Sequence, residues 1–424
     1  MVDHSFVKCN FCKTNIFLRF QRGYFDIPFD FCCPECKVHI HGIKKIVNEN
    51  VLKINNATEV EENLDKIDYY GDFSVELPHK KITKFESIEQ IASEGFSPFM
   101  NMVSVFKSGK DYFELVESMS HFLAFREHTW NKMEPLYDLY FNDKIDLIRK
   151  PVLQICSEYT VENKLDVAMA LHQLTIIGFN KILDKNALKE FMEVSKKIMN
   201  NEKTLKVIEF IDFLKNNKEL DADLKRIVKI YSRWIKDFEK YIPMVVIALG
   251  GKIQNLNKET YGIATTSFED MKAFYSDSYE VILDMITIAI GLNNIFLRGD
   301  YNIFSDKSNV KNFEEYMKQI KSDRMKSLIA GEIFSKYIKM HRHIRNAIAH
   351  YSYEFDSSSQ KIIFYDKHRG KENNVELYLC ELALLCYDNI VILIYLNELF
   401  YNLRKIEFLE NGMFPNIGYP SKNK

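Results

Sequence analysis

The sequence predicts a mainly α-helical protein with a small β region at its amino terminus, and three observations lead to this. Hydrophobic residues make up 46% of the 424 residues, which suffices for packed cores and excludes a wholly disordered chain. Only 15 glycines and 9 prolines interrupt the sequence, which favours long helices over many short strands. From about residue 108 onward, apolar residues recur at spacings of three and four, the period of an amphipathic helix.

The length predicts more than one domain, because a single hydrophobic core rarely grows beyond about 250–300 residues. A four-helix bundle is expected in the carboxy-terminal part, where YSYEFD and KIIFYD alternate like the two strands of a β-hairpin. The predicted divisions are 1–46 for the β region, 47–107 for a mixed connector, 108–260 for a helical region, 261–410 for the bundle and 411–424 for a tail.

The charge balance and the apolar runs restrict the possible partners. The 57 basic and 59 acidic residues leave a net charge of -2, so any contact with nucleic acid has to come from a local basic patch. No signal-peptide pattern opens the sequence, and the apolar runs MITIAIGL and NIVILIYLNELF are shorter than the roughly 20 residues that span a bilayer. We therefore expect a cytoplasmic protein with no membrane contact.

Five of the eight cysteines lie in the first 36 residues, and four of them form two Cys-x-x-Cys pairs, Cys9 with Cys12 and Cys33 with Cys36. The short spacing lets both thiolates of a pair reach one ion, and the second pair completes a tetrahedral shell. Residues 1–46 therefore resemble a zinc ribbon that binds one structural zinc ion. A short hairpin is predicted between the two pairs.

Other interpretations of this region remain. The pairs also suit a redox dithiol or a disulfide, and His39 and His41 are alternative ligands, although histidines on a strand surface are the simpler interpretation. Cys32 is left out, because Cys33 gives the favoured spacing. Several basic and aromatic side chains suit either a nucleic-acid surface or, for the aromatic ones, the ribbon's own core: Phe17, Arg19, Phe20, Arg22, Tyr24, Phe25, Lys37, Lys44 and Lys45.

The stretch RNAIAH combines three polar side chains with small apolar residues near the predicted end of a helix. Asn346 and His350 are four residues apart and share one helix face, whereas Arg345 lies about 140° around the helix from His350. One helix therefore holds the three groups only in a loose arc. Ile344, Ile348 and Tyr351 are expected on the opposite face, towards the core.

These residue types suit the cleavage of an RNA phosphodiester. His350 is predicted to move a proton at the 2′-hydroxyl or at the leaving oxygen. Arg345 is predicted to hold the phosphate and stabilise its developing charge, and Asn346 to orient one of these groups. No acidic cluster for Mg²⁺ accompanies the motif, so no catalytic metal is expected.

Arg345-Asn346-Ala-Ile-Ala-His350 resembles the R-x4-H motif of the HEPN superfamily, and the resemblance covers residues 265–405. It implies a ribonuclease whose two subunits bring their motifs together across a homodimer interface in the carboxy-terminal domain. It also implies phage defence or toxin-like abortive infection, with RNA as the substrate and a phage-derived trigger or an antitoxin as a further partner. Arg345, Asn346 and His350 carry over from the motif.

Structural roles are the alternative for each residue of the motif. Asn346 and His350 would cap the helix end, and Arg345 would form a salt bridge to Glu332 or Glu354. The alternative function is a non-catalytic nucleic-acid-binding or scaffold protein that uses the zinc ribbon for recognition.

Overall fold

A computed structural model describes residues 2–46, 50–93, 109–157, 161–199, 203–217, 220–251, 253–368 and 371–416. The chain is mainly helical with a small β region at its amino terminus, as predicted. Residues 94–107 of the predicted connector and residues 417–424 of the predicted tail lie outside the described residues.

The amino-terminal strands form two main sheets. One has the order β6-β1-β2-β7-β9 and is antiparallel except for the parallel pair β2 and β7, while the other is the antiparallel sheet β3-β4-β5. The strands are β1 (Val2–Cys9), β2 (Asn15–Gln21), β3 (Ile27–Cys32), β4 (His39–Lys45), β5 (Val51–Asn55), β6 (Ala57–Val60), β7 (Tyr69–Phe73), β8 (His79–Lys80) and β9 (Thr83–Lys84). Helix α1 (Ile88–Ser93) follows them.

The hairpin predicted between the two cysteine pairs is wrong. Strand β2 pairs with β1 and β7, whereas β3 pairs with β4 in the other sheet. Each cysteine pair instead lies at the turn of its own hairpin. The aromatic residues between the two cysteine pairs are therefore divided between two sheets. Phe20 on β2 and Phe29 on β3 pack against each other, with their ring centroids 5.6 Å apart. The strands also continue past residue 46 as far as Lys84.

The rest of the chain is dominated by helices. They are α2 (Gly109–Phe125), α3 (Asn131–Phe141), α4 (Ile145–Ile155), α5 (Lys164–Phe179), α6 (Lys185–Ile198), α7 (Thr204–Asn217), α8 (Leu220–Lys236), α9 (Ile242–Gly250), α10 (Phe268–Arg298), α11 (Phe313–Lys318), α12 (Lys321–Arg324), α13 (Arg342–Ala349) and α14 (Leu379–Glu410). The predicted periodicity is visible in α8, where Ile227, Tyr231 and Trp234 are buried. The two-residue strand β10 (Tyr261–Gly262) pairs with β8.

The apolar pattern of residues 324–350 favours one helix that runs into the motif, but the structure does not form it. The segment between α12 and α13 contains two single 3₁₀ turns, Met325–Ser327 and Ile333–Lys336, and the motif lies on the short α13. Gly331 has a φ of 90°, which an α-helix cannot contain. Apolar spacing alone did not reveal this break.

The predicted carboxy-terminal hairpin is present and gains a third strand. Strands β11 (Tyr353–Asp356) and β12 (Lys361–Phe364) pair as predicted, and β15 (Val375–Tyr378) pairs with the free side of β12. The last helix therefore begins only after this strand, at Leu379. Between β12 and β15, Lys367–His368 (β13) and Lys371–Glu372 (β14) form a small ladder.

The chain divides into two compact units. The first consists of Met1–Ser120, Asp237–Ser276 and His341–Asp388, and the second of His121–Lys236, Asp277–Met340 and Asn389–Lys424. The first unit contains both cysteine pairs and the RNAIAH motif. The second unit is helical in its main elements, and its core includes Trp130 and Trp234. The predicted domain boundaries and the four-helix bundle remain predictions.

Two helices, α10 and α14, are long and apolar enough to cross a membrane. Most of the apolar part of each is buried within the protein, as in the core helices of soluble folds. These helices are therefore weak support for a membrane span.

Glu76 is a buried carboxylate in the first unit, and it lies directly beside Gly23. It accepts hydrogen bonds from the Tyr112 hydroxyl at 2.6 Å and from the Tyr24 backbone N–H at 2.7 Å. A Cβ atom on Gly23 would overlap the carboxylate, which these two bonds hold in place.

We therefore expect Gly23→Ala to lower the free energy of unfolding by about 1–3 kcal/mol, as measured by chemical denaturation. Combining it with Glu76→Ala removes the overlap, so the double variant should be no less stable than Glu76→Ala alone. Equal losses from Gly23→Ala with and without Glu76 would contradict this explanation.

Candidate functional site

Cys9, Cys12, Cys33 and Cys36 form one cluster in which all four sulfur atoms lie within 4.8 Å of one another. The Sγ atoms of Cys9 and Cys36 are 3.7 Å apart, and those of Cys12 and Cys33 are 3.4 Å apart. Four sulfurs around one ion at about 2.3 Å lie about 3.8 Å from each other, so the cluster has the size of a tetrahedral metal site. All four residues are free cysteines.

The two cysteine pairs have nearly the same backbone conformation. Lys13 follows the first pair with a φ of 67°, and Lys37 follows the second with a φ of 61°. The Lys13 N–H donates to the Cys9 carbonyl at 3.1 Å, and the Lys37 N–H donates to the Cys33 carbonyl at 3.0 Å. Lysine rarely adopts this left-handed conformation, so both turns hold a strained residue in order to direct their thiols to a common point.

The environments of the thiols differ. Although burial raises it, hydrogen bonds with Thr14 lower the pKa of Cys12 to about 6, so this thiol is ionised at neutral pH. Burial raises the pKa of Cys33 to about 12. A cation that binds all four sulfurs therefore displaces at least the proton of Cys33.

Neighbouring residues are not part of this cluster. Cys32 precedes Cys33 but lies outside it, as predicted, and so do His39 and His41. The two histidine rings stack on each other at 4.9 Å, and His39 Nε2 lies 2.6 Å from the Asp30 carboxylate. In the part of the chain that the structure describes, the four predicted cysteines thus lie close enough together that they could hold a metal ion.

Most of the side chains suggested for a nucleic-acid surface in this region are buried or have partners within the protein. Phe17, Phe20 and Phe25 are buried and serve as core, whereas Tyr24 is exposed. The basic side chains already have partners: Arg19 with Asp72 at 3.3 Å, Arg22 with Asp3 at 2.7 Å, Lys45 with Asp26 at 2.9 Å and Lys37 with the Ser358 hydroxyl at 2.6 Å, while Lys44 is buried.

The RNAIAH motif lies on α13, whose apolar face fixes its orientation. Ile344, Ala347 and Ile348 are buried, and the Tyr275 hydroxyl donates to the His341 carbonyl at the start of the helix with an O···O distance of 3.2 Å. Arg345 and Asn346 are half-buried and His350 is exposed. The structure thus places Arg345 and Asn346 on this two-turn helix and His350 directly after its last residue, at the C-cap.

The end of α13 is closed by backbone hydrogen bonds. The Ser352 N–H donates to the Ala347 carbonyl at 2.8 Å, and the Tyr351 N–H donates to the Ile348 carbonyl at 3.2 Å. This is the pattern of a Schellman motif, which satisfies the last carbonyls without side chains. Among the described residues, the side chains of Asn346 and His350 have no hydrogen-bond partner. The capping roles that we considered for them are therefore not needed.

Tyr351 differs most from its prediction. It was expected to face the core, but its side chain is 83% exposed and its φ is 54°. The Schellman motif requires a left-handed residue here, a position at which glycine is usual. Sequence analysis missed Tyr351 because nothing in a tyrosine indicates a positive φ. The result is a large aromatic ring beside His350 and in contact with solvent.

The surroundings of the motif are basic. Residues 341–353 contain two arginines and three histidines and no acidic residue. His343 is held by Asp366, whose carboxylate lies 2.5 Å from Nδ1. Glu332, one of the suggested partners of Arg345, is bound to Arg298 and to the Asn293 amide.

No protein-family model, curated protein or solved structure matches this chain. Its function is therefore inferred from its own residues.

The left-handed conformation of Tyr351 has a measurable cost. Tyr351→Gly should raise the free energy of unfolding by about 1 kcal/mol, because a residue with a Cβ atom is strained there. Chemical denaturation measures the change. Tyr351→Ala is the matched control, since it removes the ring but keeps the Cβ atom and should not gain this stability. A glycine variant no more stable than the alanine variant would contradict the assignment of strain.

Proposed function

We propose that the four-cysteine cluster binds one structural zinc ion. The set of four thiolates favours zinc over the oxygen-seeking cations Mg²⁺ and Ca²⁺, and it leaves no open position for catalysis. The ion would join the β1–β2 turn to the β3–β4 turn and so connect the two amino-terminal sheets.

The purified protein should therefore contain about one zinc ion per chain, which elemental analysis measures. Cys12→Ser should lose the ion, because a hydroxyl is a poor substitute for a thiolate ligand. Cys32→Ser is the matched control and should retain the ion, since Cys32 lies outside the cluster. Zinc lost equally from both variants, or from neither, would contradict the site.

We further propose that the chain is a metal-independent endoribonuclease of the HEPN type, active as a homodimer and acting in phage defence or toxin-like abortive infection. The observation that supports this most is the end of α13. There the backbone closes the helix, and the His350 side chain is left in solvent on a helix that also carries Arg345 and Asn346. A structural role for His350 would not need this arrangement.

The chemistry of the site suits a phosphodiester. Arg345 would hold the phosphate and His350 would transfer the proton, in a segment without acidic residues to repel the substrate. Tyr351 offers an exposed ring on which an unpaired base can stack. A single α13 keeps Arg345 about 140° away from His350, so a second copy would supply the facing half of the site.

The alternative, a non-catalytic protein that binds nucleic acid through its zinc ribbon, receives less support. It needs a continuous basic face around the ribbon. Arg19, Arg22 and Lys45 are instead paired with carboxylates, and Lys44 is buried.

Total RNA incubated with the protein in EDTA should be cut into discrete fragments, visible on a denaturing gel. His350→Ala should reduce the rate by about 10²–10⁴-fold, the usual loss when a general acid or base is removed. EDTA is included because it chelates Mg²⁺, so a nuclease that needs this ion would not cleave the RNA.

His341→Ala is the matched control for His350→Ala. It removes the same side chain from the opposite end of α13, where the backbone carbonyl makes the contact with Tyr275, so it should leave cleavage intact. Cleavage that survives in His350→Ala, or that fails equally in both variants, would contradict the assignment.

A further inference from the structure

A cavity of about 340 Å³ lies within the first unit, and its wall includes Cys32 and Pro34, the two sequence neighbours of Cys33 in the cysteine cluster. Its walls come from β3, from the segment that contains β8, from the start of α10, and from the turn between β11 and β12. This volume lies at the lower end of the range for small-molecule sites.

Aromatic rings form much of the wall. Phe31 on β3 and Phe73 on β7 come from different sheets, and their ring centroids are 5.6 Å apart. Phe268 and Phe355 are stacked at 4.7 Å with an angle of 21° between their planes. Flat apolar faces of this kind suit a planar ring system.

Among the described residues that line the cavity, His79 has a buried polar atom without a hydrogen-bond partner, its Nε2. The His79 side chain is 3% exposed, and its Nδ1 donates to the Lys80 carbonyl at 3.1 Å. Nδ1 therefore carries the proton and Nε2 is an acceptor, for which no described residue supplies a hydrogen bond. Burial lowers the pKa of His79 to about 4, so the ring stays neutral at physiological pH. A buried acceptor of this kind is costly unless water or a ligand donates to it, and a ligand that fills the cavity has to replace the water.

The other polar groups of the wall are already occupied. The Lys81 ammonium donates to the carbonyls of Lys258, Glu259 and Ser359, which uses its three hydrogens. The Gln360 amide donates to the Ile263 carbonyl and accepts from the Ile263 N–H. The Lys81 ammonium therefore has no N–H left to donate to a bound anion.

Two carboxylates in the wall also disfavour a negatively charged ligand. Asp30, which accepts from His39 at 2.6 Å, and Glu269, which pairs with Lys272, both line the cavity and would repel a negative ligand. An aliphatic ligand would fill the apolar walls but would leave Nε2 without a donor.

We infer that this cavity binds an uncharged, planar heteroaromatic molecule with an N–H donor, the chemistry of a nucleobase or of a nucleoside without phosphate. The N–H donates to His79 Nε2, and the ring system lies among the four phenylalanines. This inference does not depend on the proposed ribonuclease activity, because binding is measured without RNA.

Isothermal titration of the full chain with adenosine, guanosine, cytidine and uridine, each alone, tests the inference. At least one nucleoside should bind, and its 5′-monophosphate should bind at least about tenfold more weakly, because the phosphate finds no free N–H on Lys81 and is repelled by the wall carboxylates. No binding by any of the four, or a monophosphate that binds as tightly as its nucleoside, would overturn the inference.

His79→Phe keeps an aromatic ring but removes the acceptor, so the affinity should fall about tenfold or more. His41→Phe is the control. His41 also has a buried nitrogen without a partner but does not line the cavity, so its replacement should leave the affinity unchanged. A folded His79→Phe protein that binds as tightly as the wild type would overturn the inference.

Nitrogen NMR of the histidine-labelled wild-type protein gives a second readout that does not depend on the folding of the variant. The Nε2 resonance of His79 should move when the bound nucleoside donates to it. A resonance that stays unchanged while titration shows binding would place the nucleoside elsewhere and overturn the inference.

Discussion

Helix α13 ends without help from a side chain, and the candidate catalytic site depends on this constraint. Three buried apolar residues hold the helix in one orientation, and two backbone hydrogen bonds satisfy its last carbonyls. Because the backbone closes the helix, the side chains of Asn346 and His350 are not needed to cap it. This arrangement costs backbone strain, because Tyr351 adopts the left-handed conformation at a position where glycine is usual.

A similar use of strain occurs at the cysteine cluster. Lys13 and Lys37 hold left-handed conformations at equivalent positions, and both turns direct their thiols to one point. Strain of this kind persists only where something else compensates for it. At the cluster, the proposed zinc ion would do so by bonding to four thiolates. At α13 the surrounding fold compensates for the strain. The strained residue, Tyr351, places an exposed aromatic ring beside His350.

Features that depend on residues close together in the sequence were predictable, and features that join distant residues were not. The cysteine cluster was predictable because two local spacings define it, and most helices were predictable because apolar residues mark one face. The pairing of β2 with β7 was not predictable, since strands far apart in sequence meet there. The break before α13 was missed because apolar spacing continues through it. The cavity around His79 was also invisible, because its walls come from residues between Asp30 and Leu379.

The central claim is that the motif of one chain is only half of a catalytic site. Mixing two inactive variants, Arg345→Ala and His350→Ala, tests it most directly, with different affinity tags so that the mixed dimer can be isolated. If the site is shared, the mixed dimer contains one intact arginine and one intact histidine from opposite chains, and RNA cleavage in EDTA should return in part. A mixed dimer that forms and remains as inactive as its parents would contradict the account.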